Sequence, residues 1–328
     1  MIKNTLKKIF IKLSRILGFE IIDQSKFISP TLDRELSQEL SVFNEKSIVI
    51  PLGEVKIKRK AESLLIIFRT NSNIEIWDQN KKRVFEEKKI IYVKKSLNSL
   101  IKSIKFTKKL LPKFDISLKI LDDNSTPDNL EIIKKICKDS NLNYEIINHD
   151  LNKYRNFIKK QKTEDTFSNL SSLLSSFKIG KDLAKDLIFF IEDDYIHSEK
   201  MISESIKTFE RISSQLDKDI FVCPSDYPYL YMNNEKTNIL IGSDRHWRTV
   251  NRTLCTFMTS KHLIDKYWHN FEKNCTDRHD PFEKYLNEIY EKEICISPMQ
   301  SFSIHMTNIN SSYGLSPFID YKKFWENN

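Results

Sequence analysis

Glycine is nearly missing from this chain, at five among 328 residues. The dinucleotide fingerprint G-x-G-x-x-G and the phosphate loop G-x-x-x-x-G-K-[ST] both need closely spaced glycines, and neither occurs. The commonest sequence routes to a bound nucleotide are thereby removed. Cysteine is also sparse: Cys137, Cys223, Cys255, Cys275 and Cys295 are odd in number, widely spaced, and form no C-x-x-C pair. That pattern argues against a disulfide framework and against zinc, and a reducing cytosol is the expected setting. Each thiol reads as a small core residue. No run approaches 18 apolar residues, so no membrane-spanning helix is expected.

What is abundant is charge. Lys and Arg number 53 against 45 Asp and Glu, a formal +8, while hydrophobic residues make up 40%. The hydrophobic share suits a globular protein with one large core. The basic excess favours anionic partners. Because the lysines are scattered rather than interleaved with aromatics, nucleic acid is not expected among them. One concentration of charge stands at the N-terminus. Leu6, Ile9, Phe10, Leu13, Ile16 and Leu17 fall on one helical face, with Lys7, Lys8, Lys12 and Arg15 off it. Two readings stay open: a helix lying on an anionic bilayer at the inner face of the membrane, and a helix docked on its own domain. No small-residue cleavage site follows it, so it is not read as a secretory signal.

Residues 1–60 form an extension: the basic helix, a polar stretch, then Ser47-Ile-Val-Ile-Pro51-Leu-Gly53. From Ser63 onward, strands and helices alternate. Strands are predicted at Leu64–Phe68, Ile116–Leu121, Tyr144–Ile147, Asp186–Ile191, Ile220–Cys223 and Thr253–Thr259. Helices are predicted around Leu97–Leu111 and over 127–138, 170–183 and 201–216. Strand-helix-strand order implies parallel pairing with right-handed crossovers. The expected fold is α/β, a Rossmann-like doubly wound, mostly parallel central sheet with flanking helices. Residues 61–328 make one domain, with a nucleotide-binding half at 61–195 and an acceptor half at 196–328.

The most informative segment is Asp186-Leu-Ile-Phe-Phe-Ile-Glu192-Asp193-Asp194-Tyr195. An apolar run of strand length ends in three adjacent acids. Ligands of open α/β sheets gather at the carboxyl ends of strands. Three carboxylates there repel one another unless something positive lies between them. A divalent cation carrying a phosphorylated ligand meets that need; a solvated acidic loop is the alternative.

Asp122-Asp123-Asn124-Ser125-Thr126 closes the second strand, and Glu192-Asp193-Asp194 closes a later one. In that order the two motifs resemble nucleotide-sugar glycosyltransferases of the GT-A fold, particularly family-2-like inverting members. The resemblance covers roughly residues 63–310. It implies a hexosyltransferase-type enzyme that moves a sugar from a nucleoside diphosphate to a glycan or lipid-linked acceptor, using Mn²⁺ or Mg²⁺. Asp122 or Asp123 would contact the donor's base or ribose, as would Phe68, Arg69 and Thr70 at the end of the first strand. Asp122 and Ser125 also read as caps of the following helix. Asp194 and Asp193 would hold the metal and the diphosphate, with Glu192 either assisting or bonding a neighbouring strand. His305 stands where such enzymes return a late histidine to the metal, with its second ring nitrogen held by an acceptor.

On the acceptor side, Asp280 is the expected base, with Asp277 and Glu283 beside it. Asp280-Pro281 also reads as a helix N-cap followed by proline at N1. A second cluster holds Asp226, Arg245, Trp247 and Arg248. Its arginines suit phosphate, its tryptophan a sugar face and its carboxylate an acceptor hydroxyl, against the alternative of a basic surface loop. Two other functions compete: a sugar nucleotidyltransferase, which usually carries a glycine-rich loop missing here, and a non-catalytic protein that binds glycan or anionic membrane.

Overall fold

The computed structural model describes residues 2–19, 46–49, 53–73, 83–232, 235–307, 309 and 311–328. The polar stretch of the extension and Pro51 lie outside the described residues. Strands β1 (Lys46–Val49) and β2 (Gly53–Lys56) pair antiparallel as a separate ribbon.

The main sheet begins with β3 (Ser63–Thr70), β4 (Asp115–Asp122), β5 (Tyr144–Asn148) and β6 (Leu187–Glu192). All four run parallel in the order β5-β4-β3-β6. Their crossovers are the helices Lys89–Leu110, Pro127–Ser140 and Glu164–Leu183, here α2, α3 and α4 after the N-terminal α1 (Ile2–Ile16). The chain winds outward from β3 through β4 to β5, then returns to place β6 on the other side of β3. The winding therefore reverses between β3 and β6, the position where open α/β sheets form a ligand crevice.

Strands β3 and β6 are apolar over nearly their whole length because both of their faces are covered. Alternate side chains go to opposite cores. Leu64, Ile66 and Phe68 of β3, with Leu187 and Phe189 of β6, join α2, α3 and α5 (Met201–Leu216). Leu65 and Ile67, with Ile188 and Phe190, join α4. That second contact is close: a Cβ on Gly180 of α4 would sit 2.8 Å from the Phe190 ring.

Beyond β6 the sheet continues through β11 (Phe257–Ser260), β8 (Phe221–Val222), β12 (Cys295–Met299), β10 (His246–Val250) and β9 (Ile239–Ile241). Only β8 and β12 pair parallel here; the other contacts are antiparallel. The parallel centre thus carries a mixed flank of short strands. Residues 253–256, expected as strand, precede β11 as irregular chain.

Two helix starts differ from expectation. Helix α4 begins at Glu164, because Thr163 accepts from the Thr166 amide and Glu164 and Asp165 fill the first turn. The helix after Asp280 (Lys284–Tyr290) begins only at Lys284, with Glu283 at its N-cap position. Asp280 therefore caps nothing, and the Asp280–Pro281 bond is cis. Thr126, rather than Asp122 or Ser125, caps α3, with Pro127 at its start.

Candidate active site at the carboxyl ends of the parallel strands

Register sets the floor of the site. Thr70 pairs with Asp122, and Arg69 with Glu192, so β3, β4 and β6 end level. A short ribbon supplies the next layer: β13 (Ser303–His305) runs antiparallel to β7 (Tyr195–His197), with His305 opposite Tyr195. The Met306 amide then donates to the Asp194 carbonyl at 2.9 Å, bringing His305 beside Asp194. A cleft of about 880 Å³ opens above these ends.

The cleft gathers ten of the residues singled out from the sequence: Arg69, Thr70, Asp123, Glu192, Asp193, Asp194, His305, Asp277, Asp280 and Glu283. Asp123 accepts from Ser168 Oγ of α4 at 2.6 Å. Asp122 lies beneath it, 4% exposed, accepting from the Ser125 amide. Burial, together with nearby Asp123 and Asp193, raises the Asp122 carboxyl above its ordinary pKa despite the Ser125 bonds. Phe68 is wholly buried in the core, pointing away from the cleft.

The three acids at the tip of β6 are each met by a cation from elsewhere in the chain. Glu192 Oε1 accepts from Arg69 Nη2 at 2.8 Å, so this acid bonds the neighbouring strand. Asp193 Oδ1 faces Lys89 Nζ at 2.5 Å, and its Oδ2 accepts from Thr70 Oγ1 and the Asn71 amide. Asp194 Oδ2 accepts from Thr307 Oγ1 at 2.7 Å and lies 3.3 Å from His305 Nε2. The His305 ring is stacked on Tyr195, and its Nδ1 is 2.8 Å from the Tyr313 carbonyl, the acceptor expected for a held tautomer.

Electrostatics follow from this packing. Burial works to raise the Asp194 pKa, but His305 and Lys89 outweigh it and hold the carboxylate far below its usual range. Burial works to lower the His305 pKa, and Asp194 overrides it, so the imidazole holds its proton more firmly than a free one. Hydrogen bonding from Gln161, with Lys159 nearby, keeps Asp277 ionised below its ordinary value despite some burial, which makes it a weak base. Asp280 is exposed at the cleft and makes no hydrogen bond or ion pair with the described residues.

Asp194 and His305 converge closely enough to share a divalent cation. Glu192 and Asp193 are committed to Arg69 and Lys89, and among the described residues no three His, Cys, Asp or Glu side chains group to hold a metal. Mg²⁺ ordinarily takes only one or two carboxylates from the protein and fills its other positions with water and substrate phosphate, so Asp194 and His305 would hold such an ion only together with the diphosphate.

The second sequence cluster is not in the cleft. Trp247 is completely buried among core residues beside Phe302 and Gly242, leaving no ring face for a sugar. Arg248 and Asp226 form a buried ion pair, with Tyr231 donating to the same carboxylate. Arg245 stacks on Phe302 and donates to the Gln300 carbonyl. Strand alternation explains the outcome: in β10, Trp247 points into the core covered by α2 and α5.

Residues that sequence reasoning passed over are Lys89, Thr307, Ser168 and Asn169. Lys89 is one basic residue among 53, and nothing local distinguishes it. Thr307, two residues beyond His305, was within reach of the same argument that picked the histidine.

No family model and no curated protein matches this chain. Solved structures do match it. The S. aureus TarS fragment 1–349 is 12% identical over 62% of this chain and 48% of that one, with a TM-score of 0.34. The galactosyltransferase LgtC, in complex with donor and acceptor sugar analogs, is 11% identical over 70% and 72%, at 0.36. An apo UDP-glucose pyrophosphorylase is 6% identical over 74% and 92%, at 0.38. The chain spans about half the length of the TarS fragment it matches.

Proposed function

We propose that this protein is a nucleotide-sugar glycosyltransferase acting on a hydroxyl of a glycan or lipid-linked acceptor, with inversion. The observation that supports it is the cleft at the winding reversal, which collects Asp123, the acid tip of β6, His305 and Asp280. Asp123, backed by Ser168, is suited to accept from the base or ribose of the donor. His305, whose proton Asp194 holds more firmly than a free imidazole's, lies where the diphosphate would be received.

Transfer is then one displacement. The acceptor oxygen attacks the anomeric carbon, the bond from that carbon to the diphosphate oxygen breaks, and its electron pair leaves with the diphosphate. The hydroxyl proton passes to Asp280, the one candidate carboxylate with no committed partner among the described residues.

The N-terminal helix suits a lipid-linked acceptor. Leu6, Ile9, Phe10, Leu13, Ile16 and Leu17 are each more than half exposed, the arrangement of a helix that rests on a membrane surface. No described helix is long and apolar enough to cross a membrane.

The test is calorimetric titration of UDP, GDP and CMP into wild type, Asp123→Asn and Asp194→Ala. One nucleotide should bind wild type, and both variants should weaken it tenfold or more. Binding that survives both substitutions unchanged would move the ligand elsewhere and sink this reading.

A further inference from the structure

The three cations at the tip of β6 are not equally fixed. Arg69 is half-buried and also donates to Asn169 Oδ1 at 2.5 Å, besides its bond to Glu192. His305 is pinned by the Tyr313 carbonyl, by Thr307 and by the Tyr195 ring. Among the described residues Lys89 has a single partner, Asp193, reached by a flexible four-carbon stem from the first residue of α2. Its side chain is 14% exposed and lines the cleft. Asp193 is held in place independently of Lys89, since Thr70 Oγ1 at 2.9 Å and the Asn71 amide at 3.0 Å bond its other oxygen. When the ammonium leaves, the carboxylate keeps two of its three bonds.

The backbone that presents Lys89 is firmly held. The Tyr92 hydroxyl bonds both the amide and the carbonyl of Phe85, whose ring packs 4.6 Å from Trp325 near the C-terminus. The Val84 amide donates to the Met306 carbonyl, next to His305. A mobile charge on an anchored base is how a lysine serves a phosphate, as a point charge with three donors.

We propose that Lys89 is a phosphate ligand of the donor site. On donor binding its ammonium passes from Asp193 to the diphosphate oxygens, supplying positive charge that the acid-tipped strand was expected to draw from a metal ion. It then stays beside the leaving group as negative charge develops there. This rests on the donor-site reading above.

The experiment titrates UDP, GDP, CMP and inorganic pyrophosphate into wild type, Lys89→Met and Lys89→Arg, first in EDTA and then with Mn²⁺. Wild type should bind one nucleotide in EDTA, Lys89→Met should bind it at least tenfold more weakly, and Lys89→Arg should recover most of the loss. Thermal melts check that the variants are folded; if methionine disturbs α2, Lys89→Gln carries the same comparison. Equal binding by wild type and Lys89→Met in EDTA overturns the proposal. So does wild-type binding that appears only with Mn²⁺, and either result leaves the donor site standing. Failure of every probe under both conditions overturns the donor-site reading as well.

Discussion

Arg69 ties the floor of the cleft together, and its removal should be measurable as stability. Its guanidinium spans Glu192 on β6 and Asn169 on α4, while its backbone belongs to β3. Arg69→Met keeps much of the aliphatic stem and deletes the charge. Truncating one partner of a buried ion pair typically costs about 3–5 kcal/mol, because the other charge stays behind unpaired. Here the Glu192 side chain is 26% exposed to the cleft, so water recovers part of that loss. The expected cost is roughly 2–3 kcal/mol by the same reasoning. Adding Glu192→Gln removes the stranded charge and should restore all but about 1 kcal/mol, a coupling of roughly 2 kcal/mol. Urea unfolding reads this out as a midpoint that falls for the single variant and returns for the double, with an unchanged slope. If the double variant is as unstable as the two single losses added together, Glu192 is not the charge that Arg69 neutralises.

Two further outcomes are expected. Burial pushes the Glu210 carboxyl up to about 7, against a bond from the Ala61 amide, so the folded state binds its proton more tightly than the unfolded chain does. Its contribution is full below pH 4.5 and is lost as pH rises through 7, a swing of about 3 kcal/mol at most. Glu210→Gln should therefore raise the melting temperature at pH 8.5 and leave it unchanged at pH 4.5; equal effects at both would refute the assignment. For α1, sedimentation with phosphatidylserine vesicles should capture the wild-type chain, while neutral vesicles and the Phe10→Glu variant should not. Equal capture by neutral vesicles would remove the electrostatic part of that reading.

Much of the frame was legible because it is written locally. Leu64–Phe68 and Leu187–Ile191 are apolar on both alternations, which only a strand covered on two faces requires, and the helices that alternate with the strands fix the parallel winding. The acid tip of β6 followed from the same run. What was not legible depended on tertiary facing. Trp247 between arginines has the composition of a sugar platform, yet in β10 its alternation turns it inward. Asp280-Pro281 has the pattern of a helix start, but the chain does not turn helical until Lys284.

The acid tip itself shows how far local sequence carries an electrostatic argument. Glu192, Asp193 and Asp194 look uncompensated because their neutralising partners lie far along the chain: Arg69 by 123 residues, Lys89 by 104, and the hydrogen-bonding Thr307 by 113. Only folding brings them together. The cleft that results has no basic surplus, since its lining counts six Lys and Arg (Arg69, Arg83, Lys89, Lys160, Lys162 and Arg278) against eight Asp and Glu. The formal +8 of the whole chain therefore acts at long range, speeding the approach of an anion and fading with salt. It does not hold the anion once inside. Retention must come from charge rearranged within the cleft, and a lysine with one replaceable partner is the group best placed to rearrange.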